Sequence, residues 1–99
     1  MGTITEQRFL ESLERETPGI ELPPLLQAIR HGLRGEWEQA HRIAQTVEGT
    51  DGAWVHAWLH RIEGDLANAG YWYRRAGKPA ATESTDDEGR TIARALLER

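Results

Sequence analysis

The 99-residue sequence contains no cysteine. This absence excludes disulfides, thiolate nucleophiles and every zinc or iron–sulfur site that depends on cysteine ligands. It also agrees with a reducing compartment, and we expect a cytoplasmic protein. Any metal site in this chain has to use histidine and carboxylate ligands, and we expect no cofactor other than such a divalent metal.

Long apolar runs and a basic leader are also missing. No run approaches the roughly 18 apolar residues that a membrane-spanning helix needs. The first ten residues, MGTITEQRFL, show no basic stretch followed by an apolar one, which is the pattern of a signal peptide. We therefore expect no targeting segment and no membrane partner.

Acidic residues outnumber basic residues in the sequence. Its formal net charge is −4, and residues 22–78 are the only long stretch in which bases outnumber acids, by seven to six. An acidic chain repels a phosphate backbone at long range, so we expect no nucleic-acid partner. The 38% hydrophobic and 28% charged residues are typical of one globular domain.

Two similar segments fill the centre of the chain. PLLQAIRHGLRGEWEQAHRIAQTVEG aligns without a gap with AWVHAWLHRIEGDLANAGYWYRRAGK, which starts 29 residues later. The alignment pairs His31 with His60 and Gly35 with Gly64. Each segment has apolar residues at helical spacing on both sides of its glycine, which predicts a helical hairpin with a glycine turn.

We therefore predict an all-α fold of about six helices in a single domain, residues 1–99. Repeat unit 1 (24–48) and repeat unit 2 (53–77) form two tandem hairpins. Capping helices at 5–17 and 86–98 flank them, because the ends of a repeat array have to be covered.

The pattern G-E-W-x-x-A-x-x-x-A-x-x-V, at 35–47, and G-D-L-x-x-A-x-x-x-Y-x-x-A, at 64–76, resemble the tetratricopeptide repeat, although their spacing is 29 rather than 34 residues. The stretch from HAWLHR to NAGYWYRRAG also resembles one in small bacterial proteins. The tetratricopeptide resemblance implies a scaffold that binds a protein or peptide segment along its concave side. The implied concave positions are Leu25, Ile29, Trp54, Trp58 and Arg61.

The preferred functional hypothesis is a non-enzymatic protein- or peptide-binding module. Tryptophan and arginine dominate the binding energy of many interfaces. The expected contact residues are Trp54, Trp58, Arg61, Arg74 and Arg75. A homodimer formed through exposed apolar faces is compatible with this hypothesis.

A hypothesis of another class is a metal- or small-ligand-binding protein or enzyme. His56 and His60 are four residues apart and Glu63 follows three residues later, so a helix places all three on one face. Two imidazoles at this spacing can bind Zn²⁺, Ni²⁺ or Cu²⁺, and Glu63 would be a third ligand. His31 and Tyr71 are the further candidates for this site.

Other interpretations of the same residues stay open. The zinc-protease motif H-E-x-x-H is absent because Ala57 replaces its glutamate, and a histidine that donates to a carbonyl or carboxylate explains the pattern equally well. The single step Glu38-x-x-His41 falls short of the two that a di-iron site needs, so we assign it to a solvated face. Tyr71-Trp72-Tyr73-Arg74-Arg75 fits either a helix end or an anion site.

Overall fold

The computed structural model describes residues 4–99. Residues 1–3 lie outside the described residues. They belong to the predicted domain and to the N-terminal segment MGTITEQRFL. Residues 4–99 contain six α-helices and no strand, so the predicted all-α fold is confirmed. The helices are α1 (Glu6–Ser12), α2 (Pro24–Leu33), α3 (Trp37–Ala44), α4 (Thr50–Ile62), α5 (Leu66–Ala76) and α6 (Thr85–Leu97). No helix in this part of the chain is both long and apolar enough to cross a membrane.

The helices α2 and α3, and α4 and α5, form two hairpins around glycine turns. Gly35 and Gly64 have φ angles of 81° and 85°, in the left-handed region that favours glycine. In both hairpins the outgoing helix ends two residues before this glycine and the return helix begins two residues after it. The two turns are thus built in the same way at an offset of 29 residues.

Some helix ends differ from the prediction by a few residues. α4 begins at Thr50, three residues before the predicted start of unit 2, because the left-handed Gly49 (φ 101°) already redirects the chain. Asp65 caps α5 as expected, with its side chain accepting from the amide of Asn68. Ser84 caps α6, so the last helix starts one residue earlier than predicted.

The first helix is clearly shorter than the predicted 5–17. After Ser12 the chain continues in turns, with bonds such as Arg15 N–H to the Ser12 carbonyl (3.3 Å). The buried Arg30 donates to the carbonyls of Ser12 and Arg15, and Arg34 donates to that of Leu13 at 2.8 Å. These guanidinium groups satisfy carbonyls that helix bonds would otherwise occupy.

Helix α6 packs across α2 and α4 and closes over Trp58, which is completely buried. The indole lies between two glycines: a Cβ on Gly32 or on Gly89 would lie only 2.6 or 2.5 Å from a ring carbon. The indole Nε1 donates to the Thr85 carbonyl at 2.7 Å. The prediction that Trp58 contacts a partner is therefore wrong. Ile29, another implied concave position, is also fully buried.

Candidate metal site

Three histidines, one from the first hairpin and two from the second, meet where α3 packs against α4. One ring nitrogen of each of His41, His56 and His60 lies within 4.8 Å of the other two. The Nε2 atoms of His41 and His56 are 3.0 Å apart. The rings of His56 and His60 stack with their centroids 4.9 Å apart, as the four-residue spacing predicted. We call these three residues the histidine cluster.

Two tryptophans enclose the histidine cluster. Trp37 stacks on His41 with 4.7 Å between ring centroids and 10° between planes. Trp72 stacks on His56 at 4.0 Å and 7°. The indole Nε1 of Trp37 donates to the Leu59 carbonyl at 2.6 Å, which fixes its ring. The imidazoles are therefore held in place by flat walls from α3 and α5.

Glu63 orients the third histidine. Its Oε1 lies 2.7 Å from Nδ1 of His60, so Nδ1 carries the proton and Nε2 keeps its lone pair. Within residues 4–99 no hydrogen bond reaches His60 Nε2, although the residue is only 7% exposed. The Asp65 carboxylate is close to Glu63, but it is engaged in capping α5.

The histidine cluster favours neutral imidazoles. Burial, followed by the neighbouring His41 and His60, lowers the pKa of His56 to about 4. Burial also lowers the pKa of His41, and His60 acts in the same direction while Glu63 opposes it. At neutral pH these two rings are therefore uncharged. One Nε2 of this close pair donates to the other, so a metal that binds both nitrogens requires that proton to move to Nδ1 of its ring.

The other candidates for this site have different positions. His31 lies in the first hairpin with its Nδ1 2.7 Å from Glu36 Oε1, and it is not part of the histidine cluster. Glu63 lies beside the cluster, where its carboxylate accepts from His60 Nδ1. The third nitrogen of the cluster comes from His41. Tyr71 is 45% exposed and its hydroxyl accepts from Arg75 at 2.9 Å.

The predicted partner contacts are only partly on the surface. Arg61 is half-buried and donates to Glu88 Oε1 at 2.8 Å and to the Glu83 carbonyl, so its guanidinium is engaged in contacts within the chain. Trp54 is half-buried, with Lys78 Nζ 4.2 Å from its ring centroid. Arg74 and Arg75 are exposed on α5.

The sequence interpretation missed His41, which it placed on a solvated face. A signal was present, since His41 follows Trp37 by four residues, and side chains at this spacing are neighbours on a helix. Trp37 lies on the apolar stripe of α3, so the ring that stacks on it is drawn toward the second hairpin.

No protein-family model matches this chain, and no curated protein or solved structure is significantly similar to it. The resemblance to the tetratricopeptide repeat therefore stays a prediction. The function has to be inferred from the site itself.

Proposed function

We propose that the protein binds a divalent transition-metal ion, Zn²⁺ in the first instance, through His41, His56 and His60. The observation that carries this proposal is the convergence of three ring nitrogens within 4.8 Å of one another. Imidazole nitrogen suits Zn²⁺, Cu²⁺ and Ni²⁺. Three histidines around Zn²⁺ leave a fourth position for water or a small ligand.

The spacing of the nitrogens supports the proposal. A Zn²⁺ ion at about 2.0–2.1 Å from each nitrogen separates tetrahedral ligands by roughly 3.3 Å. The His41–His56 separation of 3.0 Å is close to this value. The remaining separations are at most 4.8 Å, so they have to shorten by no more than about 1.5 Å when a metal binds.

The surroundings of the histidine cluster have the features of a metal site. A carboxylate that accepts from the second nitrogen of a ligating histidine fixes its tautomer and raises its basicity. Glu63 does this for His60. The tryptophan walls limit the ring rotations of His41 and His56, so little freedom is lost when a metal binds.

A purely structural role accounts for less of the geometry. A hydrogen bond between the Nε2 atoms of His41 and His56 explains their short distance. It leaves His60 Nε2 without a protein partner within residues 4–99, and since no fully buried side-chain nitrogen in that range lacks a partner, this atom has access to solvent. A metal ion uses all three nitrogens.

Metal titration followed by native mass spectrometry tests the proposal. We expect one Zn²⁺ per chain, lost on denaturation. The variants His41→Ala, His56→Ala and His60→Ala should each weaken metal binding. The loss should exceed the roughly 10–100-fold that is usual when a residue that hydrogen-bonds a metal ligand is removed. His31→Ala is the matched control, because His31 occupies the equivalent turn of the first hairpin and also bonds a glutamate. Equal losses in the control, or binding well below one equivalent, would contradict the proposal.

Binding of a protein or peptide remains a second proposal, now with a smaller surface. The two exposed large hydrophobic residues of residues 4–99, Leu66 (67%) and Tyr71 (45%), both lie on α5, where Arg74 and Arg75 are also exposed. The outer face of α5 is thus the surface we propose for a partner or for a homodimer. If the protein is a dimer, a Leu66→Lys variant should be a monomer, as measured by light scattering.

The cytoplasmic location likewise remains a proposal.

A further inference from the structure

A surface cavity of about 490 Å³ lies beside the histidine cluster, where the connection between α3 and α4 meets α5. His56 and Trp72 form its inner wall, and Arg75 lies at its rim. Gly49, Thr50 and Gly52, at the beginning of α4, also line it. The cavity therefore combines an aromatic wall with several hydrogen-bond donors.

The residues at the beginning of α4 line this cavity, where the Val47 carbonyl also lies against Gly52. α4 has 13 residues, its N-cap is Gly49, and no side chain caps it. The first amide groups of a helix have no acceptor within the helix, and this end carries a partial positive charge. The first-turn carboxylate, Asp51, bonds Arg99 and is not among the residues that line the cavity.

His56 contributes an independent polar group. It is 8% exposed and lines the cavity, while its Nε2 is paired with His41. Its Nδ1 makes no hydrogen bond within residues 4–99, and no fully buried side-chain nitrogen in that range lacks a partner. Nδ1 therefore has access to solvent, and His56 lines this cavity.

Arg75 provides a positive charge at the same opening. Its guanidinium carbon lies 5.3 Å from the Trp72 ring centroid, and it donates to the Tyr71 hydroxyl at 2.9 Å. This bond uses one of the five donors of a guanidinium. The remaining donors are available to a group in the cavity.

We propose that this cavity binds the oxyanion group of a small molecule, a carboxylate or phosphate-type group, between the amides at the start of α4, His56 and Arg75. The inference rests on the proposed metal function in one respect. A metal on Nε2 places the ring proton of His56 on Nδ1, which then donates to the anion. Metal and anion should therefore strengthen each other's binding, and by the same factor.

The cavity also contains a group that opposes anions. Glu48 lines it and is exposed. Its charge repels an anion across the opening, so Glu48→Gln should strengthen binding several-fold. Removing Arg75 should instead weaken anion binding. Opposite changes in anion affinity for the two variants would therefore support the electrostatic mechanism.

The experiment is an amide NMR titration of the full chain with sulfate and, separately, with acetate, in metal-free and Zn²⁺-loaded protein. We expect saturable shifts at Thr50 and Gly52. Arg75→Ala should weaken binding about tenfold, the lower end of the range for a hydrogen bond to a charged group. Arg74→Ala is the matched control, since this exposed neighbour does not line the cavity. Shifts that rise linearly with salt, or equal losses for Arg74→Ala and Arg75→Ala, would overturn the anion site.

The metal content of the same samples separates the two proposals. Saturable anion binding without any bound Zn²⁺ would support the anion site and contradict the metal site. Bound Zn²⁺ without saturable anion binding in either form would contradict the anion site alone. Equal anion affinity in both forms would overturn the coupling through His56.

Discussion

The Nε2 atom of His41 lies 3.0 Å from that of His56, although the two residues belong to different hairpins. The histidine cluster therefore exists only when the α2–α3 hairpin is docked against α4. A metal at this position connects the hairpins, so its binding and the folding of the whole chain are coupled.

We expect Zn²⁺ to stabilise the folded protein. A ligand that binds only the folded state at 100 times its Kd adds about 2.7 kcal/mol to the free energy of unfolding, which corresponds to roughly 10–20 °C in Tm for a domain of this size. Thermal unfolding followed by near-ultraviolet circular dichroism, with Zn²⁺ or with a chelator, measures the shift. The His56→Ala variant should show none. A wild-type Tm that is indifferent to Zn²⁺ would count against the site.

Removing the outer partner of His60 should weaken the site without dismantling the fold. Glu63→Gln keeps the size of the side chain but replaces the carboxylate that holds Nδ1. We expect a 10–100-fold loss of metal affinity, measured by competition against a chelating dye. Glu38→Gln is the control, because Glu38 is exposed on α3 outside the cluster. An unchanged affinity in Glu63→Gln would mean that Glu63 does not tune the metal.

The metal-free protein should lose stability as the pH falls from 6.5 toward 4. The pKa of His56 is about 4 in the folded state, below its ordinary value of 6.5, so the unfolded chain takes up the proton first. The expected loss is on the order of 2 kcal/mol between pH 6.5 and 5. His41, whose pKa is also lowered, acts in the same direction.

Urea unfolding at several pH values in the presence of a chelator measures this effect. Glu36, whose pKa is lowered mainly by its hydrogen bond with His31, loses its contribution only below its ordinary value of 4.5. The decline above pH 5 therefore reports on the histidines. His56→Gln should flatten it, and an equally steep decline in that variant would show that another group is responsible.

The buried Glu88 stabilises the folded protein through its hydrogen bonds. It is 2% exposed and accepts from Arg61 at 2.8 Å and from the Tyr73 hydroxyl. Burial, followed by the hydrogen bond to Glu88, raises the pKa of Tyr73, so this hydroxyl stays protonated and donates. Glu88→Ala leaves the buried Tyr73 hydroxyl and the half-buried Arg61 guanidinium without this acceptor.

We expect Glu88→Ala to cost about 3 kcal/mol and Tyr73→Phe about 1 kcal/mol, as measured by urea unfolding. Glu83→Gln is the control, because Arg61 contacts only the backbone carbonyl of Glu83. Equal costs for Glu88→Ala and Glu83→Gln would show that the buried network does not stabilise α6 against α4.

The parts of the structure that local sequence determines were predictable. Glycine turns, helix periodicity and the cap at Asp65 gave the helices and the two hairpin turns. The relation among His56, His60 and Glu63 was also predictable, since all three lie within two turns at the end of α4. These features depend on residues fewer than eight positions apart.

The parts that depend on packing between distant elements were not predictable. The burial of Trp58 requires α6, which begins 27 residues later. Its distance from α4 is set by the absence of a side chain at Gly89, and nothing near Trp58 in the sequence records this. His31 and His60 occupy equivalent positions in the two hairpins. Only His60 faces the other hairpin at a point where that hairpin carries a histidine, His41.

The contact between Trp58 and Gly89 is directly testable. A Cβ at Gly89 would lie 2.5 Å from one ring carbon of Trp58 and 2.9 Å from the Leu33 side chain, so Gly89→Ala has to push α6 away from α4. Forcing an extra carbon into a packed core costs about 1–3 kcal/mol, and this exceeds the gain of up to about 1 kcal/mol from replacing glycine by alanine in a helix. We expect a net loss of about 1–2 kcal/mol.

Gly70→Ala on α5 is the matched control, because its new Cβ would meet only the Arg74 guanidinium, at an ordinary 3.5 Å. The helix preference for alanine then acts alone, and the variant should be more stable than the wild type by roughly 0.5–1 kcal/mol. Urea unfolding of both variants, with tryptophan fluorescence as the signal, gives two changes of opposite sign. If Gly89→Ala also stabilised the protein, α6 would not be held against Trp58 at this distance, and the indole would be open to the partner that the sequence pattern predicted for it.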